Sequence, residues 1–406
     1  MRRSESFHVP RKTSSRVWDD DPRLIPGLPD ETSLQILARI PRIRYLSLKA
    51  VSRSWKAAVT SPEIYNIRKQ LGTTEEWVYI VMNKGLDGRF LHALDPISKT
   101  WQRLPPVIPN RSCKIEHRTC AFAAVDGCLY MLGGVSGCSS LTSVWKYDPV
   151  SNSWSAANPM SVGRAYFETG VLNNKLFVVG GISFSRVGGD NLYSETPLQS
   201  AEVFDPEIGL WSDIPSMPCS KANPTAFLEG SHDLVRIGLA SYRGKLYVPQ
   251  RFSSVGGGEV YDPETNLWMD MPTGMAEGWP PCFGTNQSVI VDGDLYALYR
   301  GLSSEDAKVY LYNHHDASWK VVVGYVPLHD KSRYMLMGLL GKLHVVTEDD
   351  NDNIIVMRAD KRDDSTASLD ERDSESVTTS ESYIWNVIAS RNFGFGILEG
   401  CQSLDI

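Results

Sequence analysis

The sequence predicts a multidomain α + all-β chain: a small helical module, then a six-bladed β-propeller closed by a C-terminal strand. Three observations predict it. A helical pattern of Leu, Ile and Trp is confined to residues 24–71. After it an Asp-Pro pair recurs, each time with a Trp six residues beyond the Asp. Upstream of each pair a turn opens a short apolar run, as expected of a strand buried on both faces.

Residues 1–23 read as a disordered tail. Arg2, Arg3, Arg11, Lys12 and Arg16 stand against Glu5 there, without forming a dense cluster. A solvated tail, a nuclear-localisation signal and, more remotely, a transit peptide are the readings. The module over 24–71 follows. Pro29, with Asp30 and Glu31 behind it, suits a helix start, where a missing N–H is harmless and negative charge meets the dipole. Leu34, Ile36, Leu37 and Ile40 carry that helix to Pro41, which ends it. A second apolar set, Ile43, Leu46, Leu48 and Val51, runs into Ser52, with Trp55, Ala58 and Val59 beyond. The last helix has Ser61 as cap, Pro62 in its first turn, Ile64, Ile67 and Leu71 on one face, and Gly72 as its stop. So small a unit buries this much apolar surface with difficulty, which reserves part of it for a partner.

Residues 72–406 carry the repeat. Asp95-Pro96 precedes Trp101, Asp148-Pro149 precedes Trp154, Asp205-Pro206 precedes Trp211 and Asp262-Pro263 precedes Trp268, with Asn313…Trp319 as a worn copy. Successive copies start 53, 57, 57 and 51 residues apart. Asp126-Gly127, Asn173-Asn174, Arg243-Gly244, Asp292-Gly293 and Leu340-Gly341 mark the turns; Asp-Gly and Asn-Asn tolerate the positive φ of a tight hairpin. Gly133-Gly134 and Gly180-Gly181 close two strands where a side chain would block neighbouring backbone. Each unit reads as four antiparallel strands, one blade, with the Trp filling the wedge between blades. The first blade, Trp77–Trp101, has room for only three strands; the sixth starts near Tyr334 and takes Trp385. The alternating tail Asn392–Leu398 is expected to supply the missing strand and so remove two free edges. The Ser-rich acidic stretch at 361–382 is expected to be a disordered insert in blade six.

Two sets of motifs resemble known families. Leu28-Pro29-Asp30-Glu31, Ile36-Leu37, Ile40-Pro41 and Val51-Ser52-Arg53-Ser54-Trp55 are similar in order and spacing to the F-box, and the strand, double-glycine and Trp marks resemble kelch repeats over roughly 77–406. The combination, and the direct run from Arg68 to Tyr79 between module and first blade, resembles plant F-box/kelch-repeat proteins. That resemblance implies a substrate-recognition subunit of an SCF-type E3 ubiquitin ligase. The module would bind a Skp-type adaptor, and through it a cullin–RING ligase, and the propeller a protein target the sequence does not identify. Carried over by position, the adaptor-binding residues are Leu24, Ile25, Leu28, Pro29, Ile36, Leu37, Ile40, Pro41, Leu46, Val51 and Trp55, the last two divided between core and interface. Thr32 departs from the pattern, since many F-boxes have a larger apolar residue there.

Composition narrows the partners. No apolar run approaches the ~20 residues that cross a bilayer, and no signal-peptide core opens the chain. Seven Cys without a CxxC pair fit a reducing compartment, so the protein is expected in the cytoplasm, the nucleus or both. The net charge of −7 resides largely between Asp363 and Ser382, where seven acids face Arg372 alone. The nearly neutral remainder argues against nucleic acid or membrane as partner.

Target contacts are expected from loops that enter the innermost strands. Arg118, Arg164, Asn223, Asn286 and Arg333 fall there, one per repeat, and read equally as substrate-binding residues or as structural hydrogen-bonders near the channel. Trp279, in Gly-Trp-Pro-Pro, is either an exposed anchor or tucked beneath its loop. No nucleophile elbow, phosphate loop or HExxH is present. Cys113, His117, Cys120 and Cys128 fit no standard zinc spacing, and His314-His315 occupies a turn. No cofactor, metal site or catalytic residue is expected. A non-ligase kelch scaffold is the alternative, and a propeller enzyme the least favoured one.

Overall fold

The computed structural model describes residues 23–84, 88–107, 115–116, 120–137, 139–186, 193–218, 239–250, 257–279, 288–299, 307–323, 325–327, 333–361 and 383–406. The tail expected over 1–23 and the insert expected over 361–382 lie outside them, apart from Arg23 and Lys361. The chain divides into two compact units, Met1–Thr73 and Thr74–Ile406.

The first unit is helical. Helix α1 (Asp30–Ala38) is followed by a 3-10 turn at Arg42–Arg44 and by α2 (Tyr45–Leu48), α3 (Arg53–Val59) and α4 (Pro62–Leu71). Local chemistry sets the boundaries. Ser52 Oγ accepts from the Trp55 amide at 3.0 Å and starts α3. Ser61 caps α4 with Pro62 in its first turn, and Gly72 stops it at φ +64°. Leu37, Ala38, Tyr45, Val59 and Ile64 form the core. Arg68 is buried at its edge, donating from Nη1 to the Ala38 and Ile40 carbonyls at 2.9 Å and from Nη2 to the Thr73 carbonyl at 2.5 Å. One guanidinium thus satisfies the C-terminal carbonyls that α1 cannot satisfy itself.

The second unit is a six-bladed propeller of four-stranded antiparallel sheets. Blade one joins Ile397–Asp405, Glu76–Asn83, Arg89–Asp95 and Thr100–Arg103 in that order. Blade two is Ala121–Val125, Cys128–Leu132, Val144–Asp148 and Ser153–Ala157; blade three is Glu168–Leu172, Lys175–Val179, Ala201–Asp205 and Leu210–Ile214. Blade four comprises Ala240–Tyr242, Lys245–Gln250, Gly257–Asp262 and Leu267–Asp270, and blade five Ser288–Val291, Asp294–Tyr299, Lys308–Asn313 and Ser318–Val323. Blade six is Tyr334–Leu339, Lys342–Glu348, Asn353–Lys361 and Tyr383–Asn392. A C-terminal strand does close the ring, but it starts five residues beyond the expected position, because Phe393–Gly396 serve as the connection and Phe395 is 84% exposed.

The repeat marks have physical reasons. At each Asp-Pro turn the first side chain accepts the amide two residues on: Asp95 from Ile97, Asp148 from Val150, Asp205 from Glu207, Asp262 from Glu264 and Asn313 from His315. Four residues past that acceptor the chain is left-handed every time, at Lys99, Asn152, Gly209, Asn266 and Ala317, which fixes the six-residue offset to the Trp. The other turns have two consecutive positive φ values, as at Asp126-Gly127 and Asn173-Asn174, the twist a two-residue hairpin needs.

Each Trp latches its blade to the preceding one. The indole N–H of Trp154 donates to the Pro105 carbonyl at 3.1 Å, Trp211 to Asn158 at 2.8 Å, Trp268 to Pro215 at 2.6 Å, Trp319 to Met275 at 3.0 Å and Trp385 to Tyr325 at 2.9 Å. Trp101, at the seam, is the exception: its indole N–H has no acceptor among the described residues, and its ring meets Phe393 edge-on at 5.1 Å.

Candidate functional site

The helical module keeps apolar side chains at its surface although its own core is filled. Ile36 on α1 is 41% exposed, Leu46 on α2 53%, and Val51, between α2 and α3, 60%. Pro29 and Pro41, which bracket α1, are exposed too, while Leu24, Ile25, Leu28, Ile40 and Trp55 are half-buried. The Trp55 indole donates to the Leu24 carbonyl at 2.8 Å, and the Leu24 amide donates to Asp30 Oδ1 at 2.8 Å, so the segment before α1 is held against α3. Leu37 is a correction: it is fully buried in the module core and offers nothing to a partner. Spacing had placed it beside Ile36, but successive residues on a helix point about 100° apart, and here that step turns Leu37 into the core.

In the propeller the first strands of the blades stand side by side around the axis. They enclose a channel cavity of about 380 Å³, lined by Thr169, Ser241, Ser288, Gln402 and Ser403 among small apolar residues such as Ala123 and Gly170. Its lining carries no charge, so it has hydroxyl and amide recognition to offer and no ionic chemistry.

The residues expected to contact a target are not brought together. Arg118, Asn223 and Asn286 lie outside the described residues. Arg164 is fully buried and structural: it donates to Glu202 Oε1 from Nη2 at 2.7 Å and to the Gly180 and Ser200 carbonyls at 2.9 and 2.7 Å. Trp279 is no exposed anchor, being 9% exposed and edge-on to Trp319 at 5.1 Å, inside the core between blades four and five. Arg333 is half-buried, and its carbonyl accepts from the Thr347 hydroxyl at 2.7 Å.

Among the described residues no group of three or more His, Cys, Asp and Glu is placed to hold a metal. Cys120 and Cys128 are buried and form no disulfide, Cys128 pushed up to about 11 by desolvation despite Lys146, while Cys113 and His117 lie outside the described residues. No described helix is long and apolar enough to cross a membrane.

Fold and surface together define a two-part recognition protein: a helical docking module joined to a propeller that presents loops. The F-box domain family matches residues 25–67, and the Kelch motif family matches 117–161 and 163–218. An F-box/kelch-repeat protein of Arabidopsis thaliana is 43% identical over 98% of this chain and 94% of its own length. Two more from Arabidopsis thaliana are each 30% identical: SKIP4, over 68% of this chain and 69% of its own, and another F-box/kelch-repeat protein over 73% and 72%. The chain belongs to the plant F-box/kelch-repeat family. An F-box followed by a kelch propeller is the build of a substrate adaptor of SCF-type ligases, and this family is typically non-enzymatic.

Proposed function

We propose that this chain is the substrate-recognition subunit of an SCF-type E3 ubiquitin ligase, working in the cytoplasm, the nucleus or both. The F-box binds a Skp-type adaptor and the propeller holds a target protein for ubiquitination. The observation that carries this reading is the set of apolar side chains, Ile36, Leu46 and Val51, standing exposed on a module whose core is complete without them. Removing such a surface from water is the usual driving force of a stable interface. The chain then supplies proximity and orientation, and the chemistry belongs to the associated transferring enzyme.

The test is a pull-down of a purified Skp-type adaptor by the intact chain and by an Ile36→Asp, Val51→Asp double variant. Binding by the intact chain, lost in a variant whose circular dichroism is unchanged, supports the assignment. Capture by neither overturns it and leaves a stand-alone kelch scaffold as the better account, whereas equal capture by both keeps the adaptor as partner and removes Ile36 and Val51 from the contact.

A further inference from the structure

The helical unit is charged unlike the rest of the chain. Between Arg23 and Thr73 stand nine bases and three acids, a net +6 in a chain of net −7. The acids occupy two helix starts, Asp30 and Glu31 in the first turn of α1 and Glu63 in that of α4. From Thr32 to Pro62 there is no acid, against Arg39, Arg42, Arg44, Lys49, Arg53 and Lys56. Residues 1–22 do not offset them, holding five bases and four acids themselves. Arg39, Arg44, Arg53 and Lys56 are exposed, and none of the four forms an ion pair among the described residues.

These cations sit among the apolar side chains of the docking face. Arg39 follows Ile36 by three residues at the end of α1, a spacing that makes helical side chains neighbours. Leu46 stands between Arg44 and Lys49, and Val51 between Lys49 and Arg53. The fold itself makes little use of the four: Arg39 donates to the Gln35 carbonyl at 2.8 Å, and the Arg44, Arg53 and Lys56 side chains make no hydrogen bond among the described residues. Unpaired charges of one sign repel one another and gain from a counter-charge brought by a partner. A nucleic-acid backbone would meet the cations and leave Ile36, Leu46 and Val51 in water. A protein face with acids around an apolar recess satisfies both.

Taking the adaptor-docking role proposed above as given, we infer that the adaptor presents an acidic face to this module, and that Arg39, Arg44, Arg53 and Lys56 steer it on. Rim charges of this kind act on the association rate and its salt dependence, whereas the apolar side chains, desolvated in the complex, set its lifetime. Capture then depends on how acidic a given adaptor is at that face, which makes these four residues selectors among adaptors.

The test uses the full chain and a purified Skp-type adaptor, with association and dissociation rates read by surface plasmon resonance from about 20 to about 300 mM salt. Association should slow about tenfold across that range while dissociation changes less than about twofold. An Arg44→Glu, Arg53→Glu variant with unchanged circular dichroism should lose a similar factor at low salt. An Arg44→Lys, Arg53→Lys variant should keep the wild-type rate, because charge and not guanidinium shape does the steering. Capture at a rate indifferent to salt and to charge reversal would overturn the inference and leave the adaptor reading intact. No capture at any salt concentration would remove the adaptor reading itself, and the acidic partner face with it. A loss in the Glu variant confined to anionic phosphatidylserine vesicles, with the adaptor's rate unchanged, would hand the cations to a membrane surface and overturn the inference as well.

Discussion

Arg89 donates from Nε to Oε2 of Glu399 at 2.9 Å, across 310 residues of chain, with both side chains 5% exposed. Asn83 donates to the other oxygen of the same carboxylate at 2.8 Å. The three residues sit on three adjacent strands of blade one, the C-terminal strand and the two that follow it in the sheet. They tie the last strand of the chain to the first ones. Main-chain pairing continues the closure, since Glu75 and Ile406 exchange amide-to-carbonyl bonds of 2.8 and 3.0 Å.

Removing one member of this pair strands the other charge in a buried site. Glu399→Ala should therefore cost about 3–5 kcal/mol, whereas an Arg89→Met, Glu399→Leu double change should recover most of it. Urea unfolding of the three proteins measures both. A single variant as stable as wild type would show that the seam is held by its main-chain bonds alone.

The same reasoning reassigns Arg164. Its amide and carbonyl bond to Leu141 and Gly134 of the blade-two side, while its guanidinium reaches Glu202 of blade three. Glu202 is held below the usual carboxylate range by Arg164 and the Ser161 amide, in spite of its burial. Arg164→Ala should destabilise the propeller by about 3–5 kcal/mol. Thermal melts, with Arg164→Lys as the conservative control, would expose the opposite case: an Arg164→Ala protein that melts normally and loses only its target.

The Trp latches supply an internal comparison. Trp211→Phe and Trp101→Phe remove similar ring area, but only the first removes a hydrogen bond, to Asn158. The first should cost about 1 kcal/mol more than the second. Equal losses in urea titrations would mean that packing, not the indole N–H, is what the repeat preserves.

Much of this was legible from residues. The Asp-to-Trp offset and the paired turn residues are local backbone chemistry, so they announced blades two to six, as Ser61 announced the cap of α4. The closing strand was anticipated from blade one's missing strand, yet misplaced, because Phe393 to Leu398 alternates as a strand does. Phe393 in fact packs on His92 and Trp101, while Cys401 and Leu404 supply the buried positions of the strand. What could not be read is the direction of long polar side chains. Arg164 and Arg68 have the composition of surface residues and the positions of loop and helix end; only tertiary packing shows that each is buried against carbonyls. The one available signal was Glu202, an acid set between Ala201 and Val203 and away from the Asp-Pro turn that ends its strand.

Ile36 and Leu37 separate binding from stability within two residues. Leu37→Ala opens a cavity in the module core and should cost about 2–5 kcal/mol. Ile36→Ala removes a side chain already 41% exposed and should leave stability within about 0.5 kcal/mol. Calorimetry on the full chain distinguishes them. Similar losses for both would mean that Ile36 belongs to the core and not to the docking face.

Two histidines give the propeller a pH dependence of known sign. His344 is 1% exposed, its Nδ1 2.9 Å from the Lys342 carbonyl, and desolvation leads the lowering of its pKa to about 4, with Arg358 and Lys342 adding to it against Asp360. His92, stacked on Phe393 at 4.1 Å, is likewise lowered to about 4 by burial and by Arg391, Arg103 and Lys84. In the unfolded chain both titrate near pH ~6.5. Between pH 6.5 and 4 the unfolded state therefore binds more protons than the folded one, and stability falls as pH falls through that window. Each buried His should remove about 2 kcal/mol between pH 7 and pH 5. His344→Gln retains an amide N–H for the Lys342 carbonyl without a titrating group, so it should flatten the slope by roughly half. Urea midpoints at pH 7, 6 and 5 measure this directly. A wild-type profile flat over that range would mean that both imidazoles accept a proton in the folded propeller as easily as in water.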